Sequence, residues 1–142
     1  MTALGSLVRV HDWILNEKRQ KLAALEGLAE RMKDDLRRLQ EDLEREQRAA
    51  SGSLEGTVAF PAFVAAALER RKRLRQSIAE LERAIEAARE EVHAAFQEVK
   101  KYELARDNDD KRERDRRARG EQKALDELGT SLYRRGRLAR ED

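Results

Sequence analysis

Cysteine is absent, proline occurs once (Pro61), and the aromatic residues are one tryptophan, two tyrosines and three phenylalanines in 142 positions. Without cysteine there is no disulfide framework, the usual substitute for a core in small secreted domains, so a cytoplasmic chain is expected. With 4% aromatic and 42% charged residues there is too little apolar volume for a conventional globular core. No apolar run approaches the roughly 20 residues that span a bilayer. The opening "MTALGSLVRVHDWIL" also lacks the basic start, apolar block and small-residue cleavage site of a secretory signal. No membrane insertion is therefore expected. An excess of one charge is missing too: 31 Lys and Arg stand against 29 Asp and Glu. This near balance implies no polyanion-binding surface and no nucleic acid partner.

Catalytic signals are equally scarce. His11 and His93 are far apart in sequence, and the seven glycines are dispersed rather than gathered into a phosphate-cradling loop. Carboxylate pairs are abundant, as on any helix this charged, but none falls in a pattern that predicts a concave, water-excluding pocket. The chain is expected to be no enzyme and to hold no metal or cofactor. The basic run Lys111 to Arg119 is interrupted by Glu113 and Asp115 and preceded by Asp107, Asp109 and Asp110. It reads as a solvated or protein-binding helix rather than a nucleic-acid arm.

What the sequence does contain is Leu and Ala at alternating steps of three and four, the period that keeps one seam of a helix facing a partner. A first series runs Leu7, His11, Ile14, Lys18, Leu22, Leu25, Ala29, Met32, Leu36, Leu39, Leu43, Glu46, Ala50. A second runs Phe60, Val64, Ala67, Arg71, Leu74, Ile78, Leu81, Ile85, Ala88, Val92, Phe96, Val99. Between them, "SGSLEGTVAFP" offers Gly52 to close a helix in a left-handed conformation, Thr57 or a neighbour as a cap, and Pro61 for a first turn. The predicted fold is all-α: two long helices forming an antiparallel coiled-coil hairpin, with a C-terminal helical overhang. One domain is expected over residues 1–142, with arm one at about 3–50, a tip loop at about 51–59, arm two at about 60–119 and an amphipathic tail at 120–142.

Folding back near residue 55 sets Met32 opposite Ile78, Leu25 opposite Ile85 and Ile14 opposite Phe96. In this register both series take two successive four-residue steps at the same level, Ile14 to Leu22 and Ala88 to Phe96, which predicts a matched local relaxation of the supercoil. The expected seam includes Ile14, Leu22, Leu25, Met32, Leu36, Leu74, Ile78, Leu81, Ile85 and Phe96. Trp13, beside the seam, either shields its edge or meets a partner; Phe60 and Phe63 at the tip admit the same two readings.

The first arm runs out opposite residues 103 to 106. Beyond that point "DNDDKRERDRRARG" has no seam to maintain, and opposite charges four apart, Asp107 with Lys111 and Asp110 with Arg114, support the helix instead. Apolar residues then return in "EQKALDELGTSLYRRGRLARED" as Leu125, Leu128, Leu132 and Tyr133. No second arm faces them, so a docking helix or a self-associating tail is expected. Gly120, Gly129 and Gly136 predict a tail that is frayed until bound.

"EQKALDEL" before an arginine-rich end, a hairpin of this length and the opening "LGSLVRVHDWILNEKRQKLAALEGLAERM" together resemble the flagellar export chaperone FliJ family. The specific part of the resemblance is Glu121, Gln122, Leu125, Asp126 and Glu127, with Arg134 beyond; Leu128 continues the same apolar face. The resemblance implies a soluble stalk of the flagellar type III export apparatus, similar to the two-helix stalk of rotary ATPases. It implies binding to the hexameric export ATPase through the tail, contact with the cytoplasmic part of the membrane export gate, and a role in cycling export chaperones. Phe60 and Phe63 would be on the gate side. The location implied is cytoplasmic, peripheral to the inner-membrane export apparatus. The equivalent stalk of a virulence secretion system and a structural coiled-coil adaptor remain open alternatives.

Overall fold

The computed structural model describes residues 2–141; Met1 and Asp142, the ends of the expected domain, lie outside them. Two helices account for the fold, α1 (Ala3–Ala50) and α2 (Leu54–Glu141), and no strand occurs among the described residues. Packing divides the chain into two units: one is His11–Gln97, and the other joins the residues before His11 to those after Gln97.

Within His11–Gln97 the helices run antiparallel. Lys18 pairs with Glu91 and Lys33 with Glu82, so numbers rise on α1 as they fall on α2. The core packs Ala29, Leu81 and Ile85 together with Leu22, Leu25 and Met32, in agreement with the expected register. The seam withdrawn from solvent on α1 is His11, Leu15, Lys18, Leu22, Leu25, Ala29, Met32, Leu36, Leu39 and Leu43, with Ala50 at its end; Glu46 is exposed. That on α2 is Phe60, Val64, Ala67, Arg71, Leu74, Ile78, Leu81, Ile85, Ala88, Val92 and Ala95. Through Leu43 on α1 and Ala95 on α2 the steps of three and four alternate, so neither series takes the two successive four-residue steps expected of it. Leu15, at 5% exposure, takes the place expected for Ile14, which is half-buried; Ala95, at 9%, takes that of Phe96, which is 41% exposed. The expectation favoured the bulkier neighbour at each step. An alanine at a seam lets backbones approach while a flanking phenylalanine covers the edge from outside.

The turn is shorter than expected. Ser51 and Gly52 form it, and Ser53 caps α2 by accepting the Gly56 amide on its hydroxyl at 3.0 Å. Gly52 is not left-handed: no described glycine has positive φ. α1 is closed by the Ser51 amide on the Gln47 carbonyl and the Gly52 amide on that of Ala49. Thr57 is not the cap; its single hydroxyl proton is shared between the carbonyls of Ala50 and Ser53, at 2.7 and 2.8 Å. Pro61 lies inside α2, past the first turn. It has no amide to give to the Thr57 carbonyl. Gly56 is needed because α1 passes close by: a Cβ there would sit 2.8 Å from the Ser53 hydroxyl and 3.0 Å from the Ala50 Cα.

In the second unit Val8 and Val99 are buried at 4% and 3%. Val8 replaces the expected Leu7, in phase with Leu15. Leu4, Gly5, Tyr102, Glu103, Ala105 and Arg106 are half-buried, and from Asp107 to Glu141 every residue is exposed. The seam therefore ends where the first helix does. The tail is helical through Gly120, Gly129 and Gly136 to Glu141, against the expectation of fraying.

Candidate functional site

A helix without a neighbour must draw its support from within. Arg116 and Arg117 pair with Glu113, Arg106 with Asp107, and Arg137 with Glu141. The expected pairs Asp107 with Lys111 and Asp110 with Arg114 are not among these ion pairs, so the support is local but uses other partners. Further on, the Gln122 amide donates to the Asp126 carboxylate at 3.0 Å, and the Thr130 hydroxyl donates to the Asp126 carbonyl at 2.9 Å.

At 3.6 residues per turn, Leu125, Leu128 and Leu132 fall on one face together with Glu121, Gly129, Gly136 and Ala139. The three leucines are 62%, 56% and 57% exposed, an uncovered apolar stripe on a charged helix. Asp126, Glu127 and Arg134 turn away from it and line a shallow groove with Lys123, Thr130 and Ser131. The residues singled out in the tail thus divide between two faces. Tyr133 is exposed at the stripe's edge.

At the turn of the His11–Gln97 unit, Phe60 is half-buried and Phe63 is more than a third exposed; both line a small groove with Glu46, Ala49, Ala50, Ser53, Gly56 and Ala59. Leu54 and Val58 are the most exposed apolar residues there. Trp13 is 64% exposed. His93 is exposed and His11 is half-buried.

The sequence expectations leave out one feature of this unit. Arg70, Arg71, Lys72, Arg73 and Arg75 stand within six consecutive positions, and none of them forms an ion pair among the described residues. Arg71, Lys72 and Arg75 line a shallow groove with Leu68, Gln76 and Ala79. The local density of charge was the available signal, obscured by the near balance of the whole chain. The Glu91 carboxyl is held below the usual range first by the Lys18 ammonium and next by that of Lys21. Lys18 and Lys21 thus tie the Glu91 carboxylate of α2 to α1.

No group of three or more His, Cys, Asp or Glu among the described residues could hold a metal ion, and no helix among them is long and apolar enough to cross a membrane. The family model for the flagellar FliJ protein matches residues 1–138. This chain belongs to the FliJ family. As a FliJ-family member it is a flagellar protein of the export class, and that family is non-catalytic. No curated protein and no solved structure matches it.

Proposed function

We propose that this FliJ-family chain is a coiled-coil stalk that binds the hexameric export ATPase through its tail, with Leu125, Leu128 and Leu132 supplying the apolar contact. The observation carrying this reading is that helix α2 continues beyond its seam and there exposes those leucines on a surface otherwise charged. A thin helix has no deep pocket to offer, so a few apolar side chains flanked by charge suit a groove or channel in a larger partner. Glu121 and Gln122 then provide polar contacts beside that stripe, and Asp126, Glu127 and Arg134 provide them from the adjoining groove. The turn, with Phe60 and Phe63 beside exposed Leu54 and Val58, is assigned to the cytoplasmic part of the export gate. Export chaperones are further partners, and the site of action is the cytoplasmic side of the inner membrane.

The test is to mix the full chain with the export ATPase and follow both co-migration and ATP hydrolysis. Complex formation and stimulated hydrolysis are expected, each weakened about ten-fold or more by L125E/L128E. No complex and unchanged hydrolysis would sink the proposal.

A further inference from the structure

The apolar stripe of the tail carries two glycines that nothing within the protomer requires. A Cβ added at Gly129 or Gly136 would meet nothing within 4 Å, and each glycine weakens the helix relative to alanine. Their places are regular. Leu125, Gly129, Leu132, Gly136 and Ala139 follow steps of four and three, the spacing of a coiled-coil seam in which large and small residues alternate. The charges beside them are polarised as well. In the first half of the tail Glu121, Asp126 and Glu127 outnumber Lys123, and in the second Arg134, Arg135, Arg137 and Arg140 outnumber Glu141 and Asp142.

We infer that the tail pairs antiparallel with the tail of a second copy of this chain, about a two-fold axis between Thr130 and Ser131. In that register Leu125 meets Gly136 of the second copy, Leu132 meets Gly129, and Ala139 meets Gln122. Each leucine enters the space that a glycine leaves, so the two backbones approach closely. The flanks follow the pattern by which α1 and α2 already pair. Leu25 sits opposite Ile85, and the next residue, Glu26, reaches Arg89, four positions beyond. Applied to Leu125 opposite Gly136, the same step brings Asp126 to Arg140. On the other flank Lys21 reaches Glu91, three positions beyond Ala88; the equivalent step lays Arg135 along Leu128, whose apolar surface its methylenes cover. A two-fold axis makes every such contact twice. Parallel pairing would set acid against acid, arginine against arginine and glycine against glycine.

This pairing is independent of the ATPase reading, although it covers the same leucines, and it is tested on the full chain alone. Sedimentation equilibrium is expected to show a concentration-dependent dimer. D126R and R140D each lower the association constant about 2- to 10-fold, and D126R/R140D restores it. G136L strengthens the helix and leaves the protomer's own contacts untouched, yet abolishes the dimer by filling the space for Leu125. Mixed Q122C and A139C chains form a disulfide with each other, whereas Q122C alone does not. A chain that stays monomeric at millimolar concentration, no rescue by D126R/R140D, or tighter association in G136L would overturn the inference. ATPase binding by such a monomer would leave the stalk reading standing.

Discussion

The Thr57 hydroxyl donates to the carbonyl of Ala50 at 2.7 Å, linking the first turn of α2 to the last residue of α1. Ala50 is buried and its carbonyl lies at a helix end, where no intrahelical amide can reach it. T57V keeps the shape and removes the donor, so a loss of about 1 kcal/mol is expected, with T57S close to the parent. Urea midpoints of the three proteins check this.

Gly56 sits where a Cβ would crowd both the Ser53 cap and the Ala50 backbone. G56A gains helix propensity but must push the end of α1 away, and a net loss of about 1–2 kcal/mol is expected. G120A, in contrast, meets open space and is expected to raise tail helicity. Thermal unfolding of the first and circular dichroism of the second are the measurements; a stabilised G56A would refute the close approach.

Leu15 and Ile14 are adjacent, but only Leu15 is buried in the seam. L15A is expected to cost about 2–4 kcal/mol and I14A about 1 kcal/mol or less. Equal losses would mean that the seam shifts between the two.

Glu91 accepts from Lys18 at 3.4 Å and has Lys21 at 3.5 Å. Its carboxyl is lowered from the ordinary value, so the folded chain holds this proton less tightly than the unfolded one. The stabilisation is full above the ordinary glutamate pKa and disappears as pH falls through the lower folded value. E91Q should therefore melt below the parent at neutral pH and converge with it in acid. Melting temperatures of both across that range are the check, and a gap that persists in acid would contradict the assignment.

The architecture was legible because the seam is a one-dimensional pattern. Leu22, Leu25, Met32, Leu36, Leu74, Ile78, Leu81 and Ile85 recur at a period that only a partnered helix requires, and the turn between the two series limits the partner. Phase was harder to read where two apolar residues stand side by side, as at Ile14–Leu15 and Ala95–Phe96, because hydrophobicity favours the larger residue and packing the better placed. The turn was misjudged because Pro61 suggests a helix start, while the Ser53 hydroxyl supplies one two turns earlier. At the candidate site, the sequence made the leucines visible, but which face each polar neighbour takes depends on helix formation through three glycines. Fraying was expected from propensity alone; side-chain bonds such as Gln122 to Asp126 oppose it.

From Asp107 onward, the bonds that hold the helix connect residues no more than four apart. The ordered length of such a segment is not all-or-none. Its amides open one after another along the helix, and salt, temperature and bound surface each move the boundary along the chain. His11–Gln97 is tied by contacts between its two helices that reach 73 positions along the chain, from Lys18 to Glu91, so it opens as a whole. One polypeptide thus joins a cooperative unit to a segment whose extent is graded, and whatever covers the leucines sets how much of that segment is rigid.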